Sequence, residues 1–558
     1  MAHYDGSSRR FDATWNPDYW GKDTTTGVAN ITGGFGQLPA MEDASTGVVH
    51  MYHPTGWGGW QFQVGARSDP DSLQFLCHGF KDSSAPADTK PDWVGPCNTE
   101  PKGLATVVVQ GGYQEARGTA GAGVGAFYVE NIKELLDSER EWFLDEATST
   151  LFYMPSSPAA PPSKSAFVGA TGKSVFEVRG AVGQPVSEVS ITGVTITQTA
   201  TTFLEKYEVP SGGDWSLYRG AAVFVSGPAD SITVQGCLFD QPGGNALMLS
   251  NAVSNSLVAN NSFVDVGDSA MLAVGSARLL DATAANSDPV GAGMPTNNLL
   301  TRNLVDNVGI FGKQTSAYFK ALCRANTFSE NVLMNGPRAG VNFNDGAAGG
   351  EVLEGNLFFN FVRESGDHGM FNSWDRQPYL YEQDGAPTIT PQPHQMRRNF
   401  CLNANFATTH LTKSGYCFDH DDGSAQYNSS DNVCFAGGFK LRDGVNRWQT
   451  DNLVVEGKLA DPQINGFKST ILAGNTVVDS SGMFYSCVKD AFGGGMNVTN
   501  NRYFVPGAGA VPKFNPNCEG SCGTLECWQK LGYDAGSTIS ADITVADVLG
   551  WAREKLRM

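Results

Sequence analysis

The chain has 558 residues, of which 17% are charged and 66 are glycine, and a formal charge of −19. That length exceeds one ordinary core unless the architecture grows by stacking, and few charges with much glycine favour β structure with many corners over helices. The acidic balance, with no basic stripe, argues against nucleic acid or an anionic membrane as partner and weakly against a polyanionic substrate, and no apolar run is long enough to predict a membrane span.

The first 180 residues show no period. Short strand-like runs such as ATVVVQGGYQ and TSTLFYMP flank one helical patch, ENIKELLDSEREWF, and predict a β-rich region packed on or capping the rest of the chain. Its conspicuous polar groups are Gln114, Glu115, Arg117 and Glu141, for which solvated or turn-capping roles are the plainer explanation. The N-terminus shows no apolar leader. Eleven cysteines point the other way, to an extracellular setting. The trio Cys518, Cys522 and Cys527 has no histidine nearby, so loop-stapling disulfides are expected there rather than a metal knuckle. Sequons at Asn30, Asn260, Asn428 and Asn497 permit the same setting.

Residues 181–510 carry a repeat, and the repeat decides the fold class: all-β, a right-handed parallel β-helix. Two polar or small residues, then Gly or Asn, then a short apolar run recur at Gly193, Gly236, Asn261, Asn303, Asn331, Asn356, Asn399, Asn432, Asn452, Asn475 and Asn501. Most intervals fall in the twenties, about one solenoid turn, and the longer ones are a turn plus an insertion. A unit so short cannot bury its own apolar face, so neighbours must stack. Asn at one corner tolerates a left-handed backbone, and amides stacked ~4.8 Å apart can hydrogen-bond along the axis.

A second series, Gly244, Gly267, Gly309, Gly340, Gly369 and Gly415, is expected to open the next strand, after a connection that lengthens over the last three turns. Acids fall just beyond these glycines. Counted from its own Gly, Asp345 falls level with Trp374 and His420, and Asp375 level with Asp421, with Asp422 one further on. Stacking at ~5 Å per rung brings such carboxylates to the ~5–5.5 Å or ~6.5–9.5 Å separations used by retaining and inverting glycosidases. Asp345, Asp375 and Asp421 are therefore the catalytic candidates. Glu364, Asp367, His368, Trp374, Arg376, His420 and Asp422 are candidate sugar-binding groups. Taken singly, each Asp is better explained by turn capping or a structural Ca²⁺, and it is the group that favours function; no other cofactor is expected. Residues 511–558 leave the repeat and predict a C-terminal capping helix, with Val545, Leu549 and Trp551 on one side.

The runs GPRAGVNFNDG, EGNLFFNFVRESGDHGMFNSWDRQPYL and DHDDGS, with GWGGWQF and GGYQEARG upstream, resemble secreted right-handed β-helix proteins of the pectin-lyase-like superfamily. The resemblance covers about His50 to the C-terminal helix and is closest to β-helix glycoside hydrolases of the α-L-fucosidase/xylanase type. It implies an extracellular glycosidase with a carboxylate pair among Asp345, Asp375 and Asp421; a monomer acting on a neutral or mildly charged polysaccharide is expected. The chain departs from the group in lacking a leader and the first coils, as a trimmed sequence would. Similarity to polygalacturonases is weaker, with no Arg-x-Lys pattern to bind a uronate. A lyase using Arg338, Arg363 or His368, and a non-catalytic glycan-binding solenoid, are the rival expectations.

Overall fold

Each predicted apolar run from Ile191 to Phe504 is a strand that pairs in parallel with the run one turn away. The computed structural model describes residues 11–13, 28–30, 43, 45–52, 59–64, 72–76 and 125–558, apart from 158–161, 164–166, 206, 208–209, 211–216, 277–292, 347–348, 367, 375–380, 384–385, 389–391, 404–414, 443, 463–468, 486–495, 508–511 and 515–521. Among the described residues, three long parallel sheets of 10, 11 and 12 strands wrap one core as a right-handed β-helix. Sheet one (10 strands) runs from Phe176–Arg179 to Asp461–Pro462, sheet two (11) from Ser190–Thr192 to Met496–Thr499, and sheet three (12) from Thr195–Thr197 to Thr538–Ser540. Among the described residues of the first 130, six strands form a separate antiparallel sheet.

The corner from sheet two to sheet three is two residues long, as between His394–Arg397 and Phe400–Leu402. The second corner residue is the recurring Asn. Asn303, Asn331, Asn356, Asn399, Asn432, Asn452 and Asn475 are each buried, and each donates its Nδ2 to the Oδ1 of the next Asn at 2.9–3.1 Å. The same Oδ1 accepts the preceding Asn's backbone N–H, so every rung carries two bonds along the axis. The left-handed backbone falls one residue earlier than the motif implies, on Arg302, Glu330, Arg398, Asp431 and Asp451 as well as Gly355 and Gly474. The ladder Asn is needed for its amide and the residue before it for its φ. Cys237, not Gly236, is the residue level with Asn261, whose Oδ1 takes the Cys237 amide.

The other two corners vary. The connection from sheet three to sheet one lengthens over three turns, Met334 to Val341, Phe359 to Gly369 and Leu402 to Tyr416, as the spacing predicts.

Two expectations about helices are corrected. The patch at 130–143 is one 3₁₀ turn, Lys133–Leu135, before the strand Trp142–Asp145, because the Glu141 carboxylate takes the amides of Asp137 and Ser138 and closes a turn there. The C-terminal helix Val545–Leu556 starts at a Thr544/Asp547 capping box, but Val545 and Leu549 face solvent. Its buried face is Val548, Trp551, Ala552 and Leu556, laid on the outside of sheet three against Val433, Leu453 and Phe504. The core's last layer comes from Phe514, Leu525 and Trp528, the latter two on the helix Leu525–Lys530. Cys522 and Cys527 are joined by a disulfide; Cys518 lies outside the described residues.

Inside the middle turns the core is polar. Lys320 is completely buried over the Phe343 ring, near Glu351, and His394 and His420 flank the Tyr427 ring. Burial pushes the Glu351 carboxyl up to about 7 against the pull of Lys320. Between pH 4.5 and 7 the unfolded chain then ionises this group while the folded one holds its proton, so stability falls as pH rises through that window. Urea melts at about pH 4.5 and pH 7.5 should show wild type losing on the order of 3 kcal/mol relative to Glu351→Gln. Parallel pH curves for the two proteins would contradict this.

Candidate functional site

Strand alternation sends every second side chain of sheet one outward. The outward column, read by register, is Phe224, Met248, Leu272, Phe319, Asn342, Asn372, Asp419 and Lys440. Its first four members join a separate apolar cluster outside the main core. The next four are polar and at least 98% buried. A sheet face that changes from apolar to buried polar in mid-column needs an electrostatic account.

Lys440 supplies the centre of it. Its Nζ lies 3.1 Å and 3.2 Å from the two oxygens of Asp419 and 3.4 Å from Asp421 Oδ1. Arg442, two residues on, reaches Asp421 at 3.2 Å and Asp422 at 2.7 Å. Exposure rises outward through this network, from none at Asp419 and Lys440 to 17% for the Asp421 side chain and 23% for Arg442. Earlier along the axis, Arg338 Nη2 lies 2.8 Å from His368 Nε2 and Arg338 Nη1 is 3.4 Å from Asn342 Oδ1. Burial, then the charge of Arg338, push the His368 imidazole well below its usual range, so it is neutral. Lys313 and Glu364 form a further buried pair at 3.5 Å.

The candidates divide accordingly. Asp421, Asp422 and His368 belong to this outward network, Glu364 is held in its own buried pair with Lys313, and buried Trp374 follows the strand Gly369–Ser373. Asp345 is placed elsewhere: its completely buried carboxylate takes the Leu322 amide at 2.9 Å and lies 3.3 Å from Lys320 Nζ. His420 is turned into the core, its ring 4.6 Å from that of Tyr427 and its Nδ1 3.1 Å from Ser373 Oγ. Asp367, Asp375 and Arg376 lie outside the described residues. Asp419, Lys440, Asn342 and Asn372 are members that the sequence pattern does not single out. The cause is register: Gly369 pairs with Tyr416, so Gly415 sits one residue early, and a one-residue slip exchanges outward Asp419 for inward His420.

No protein-family model matches the chain, and a search of curated proteins finds no match. Among solved structures, a glycoside hydrolase overlays 82% of this chain and 73% of its own with a TM-score of 0.54, at 14% identity. At that identity the likeness is one of fold. The catalytic unit of a thermostable GH87 alpha-1,3-glucanase from Streptomyces thermodiastaticus strain HF3-3 aligns over 96% of both chains at 12% identity, with a TM-score of 0.30, too low to argue from.

Proposed function

We propose that the chain is a glycoside hydrolase that cleaves an extracellular polysaccharide along the outward face of sheet one. The observation that carries this is the sharing of one ammonium, Lys440, by two carboxylates, Asp419 and Asp421. Oxygens that meet on one cation are no further apart than two hydrogen-bond lengths, so the buried Asp419–Lys440 pair holds a fixed positive charge against the partly exposed Asp421 carboxylate. Amides, a neutral imidazole and an indole nearby are the groups that bind sugar hydroxyls and faces.

In this proposal Asp421 attacks the anomeric carbon or activates water, and Asp375 donates a proton to the leaving oxygen. Asp419 holds Lys440 against Asp421. Trp374 stacks on a sugar ring, and Glu364, Asp367, His368, Arg376 and Asp422 orient hydroxyls. Asp345 and His420 are assigned to the scaffold. Membership of the pectin-lyase-like superfamily, secretion and a monomeric state complete the proposal, and the fold overlay supports its carbohydrate-active side.

A reducing-end assay across plant and algal polysaccharides tests it. Asp375→Asn should abolish release of reducing ends while the melting temperature stays within a few degrees; near-full activity would remove Asp375 from the mechanism. The neutral His368 beside Arg338 favours one second reading, a lyase that abstracts a proton next to a uronate. Its products would absorb in the ultraviolet as unsaturated uronides, which a hydrolase's do not.

A further inference from the structure

A chain of donors and acceptors crosses the outward face and ends on one atom. Arginine can only donate, so the directions follow from Arg338. Its Nη2 donates to His368 Nε2 at 2.8 Å, which places the ring proton on Nδ1, 3.1 Å from Ser365 Oγ. Its Nη1 donates to Asn342, which fixes that amide with Oδ1 toward Arg338. The same Oδ1 accepts Asn372 Nδ2 at 2.8 Å, so the Asn372 amide cannot flip without opposing two acceptors. The atom left over is Asn372 Oδ1, a buried acceptor with no hydrogen-bond partner among the described residues, on a residue that is 98% buried. Its Nδ2 points to Asn342 on one neighbouring turn, and the residue in register on the other is Asp419.

We infer that Asn372 Oδ1 is a specificity determinant that accepts a hydrogen bond from a free hydroxyl of a neutral sugar bound beside Asp419 and Lys440. This rests on the hydrolase proposal and narrows it. The fixed carbonyl of Asn372 is itself an acceptor only, and Lys440 is already shared by Asp419 and Asp421, so an anionic group set against Asn372 Oδ1 finds no donor on that atom and an etherified hydroxyl has nothing to give it. A site built around one hydroxyl rejects the analogue that lacks it more strongly than an apolar pocket could, because the protein atom is then left unpaired.

The experiment takes the polysaccharide that wild type cleaves in the reducing-end panel and compares it with its O-methylated form. Wild type should lose at least ~tenfold in kcat/KM on methylation. Asn372→Leu should raise KM on the unmodified polymer with a smaller change in kcat, and should distinguish the two polymers several-fold less than wild type does. Asn342→Leu, which leaves Asn372 in place but frees its amide to turn, should give the same pattern and serves if Asn372→Leu fails to fold. An active wild type whose folded variants keep both KM and discrimination overturns the inference and leaves the hydrolase proposal standing. Preference for a polyuronate over neutral polymers also overturns it. Cleavage of nothing in the panel sinks the hydrolase proposal itself.

Discussion

Asp421→Asn should lower turnover between a hundredfold and ten-thousandfold while the protein still folds, the range spanned by removing one general acid or base. The side chain is partly exposed, and both cations it touches keep another partner: Lys440 retains Asp419 and Arg442 retains Asp422. Loss of its charge therefore removes chemistry without stranding a buried ion. Asp419→Asn is the contrasting case. Asp419 and Lys440 have no exposure, and uncoupling a buried pair costs about 3–5 kcal/mol, so that variant should lose stability as well as activity. Initial rates beside thermal melts separate the two. If Asp421→Asn hydrolyses the substrate at wild-type rate, the carboxylate pair is not the catalytic centre.

Asp534→Ala should cost about 3–5 kcal/mol of stability. The Asn ladder is directional, and its last member needs an acceptor. Asn501 donates its Nδ2 to Asp534 Oδ1 at 3.0 Å. The same completely buried carboxylate takes Trp528 Nε1 at 3.0 Å, Tyr503 OH at 2.9 Å, Tyr485 OH at 3.2 Å and Ser537 Oγ at 2.7 Å. Alanine leaves five donors facing one another in the core. Asp534→Asn should be nearly as damaging, because half of the amide is itself a donor. Melting temperatures of the two variants decide the matter: values within a degree or two of wild type would mean that the ladder closes in another way.

The solenoid was legible because stacking forces each turn to repeat the chemistry of its neighbour, so Asn returns wherever an axial amide bond is made. Its register was legible only to within one residue. Asn is used for its amide rather than its φ, and the left-handed position, filled by Arg302, Glu330 or Arg398, carries no compositional mark. The site suffered more from the same slip, since strands alternate faces. Counting from Gly415 put His420 outside and hid Asp419, although an alternating count from inward Phe418 gives the faces correctly. Lys440 was invisible because it lies on another turn, in a strand, Phe439–Leu441, with no acid of its own.

The two-residue corner between sheets two and three has a consequence for how such a protein can diversify. Every insertion must be accommodated at the other two edges, because one extra residue at this corner would shift the next amide out of line and break the series. Whole turns, by contrast, could be duplicated or excised with the series intact. The length of the rod and the loops that surround its substrate can thus change independently of the spine that keeps it folded.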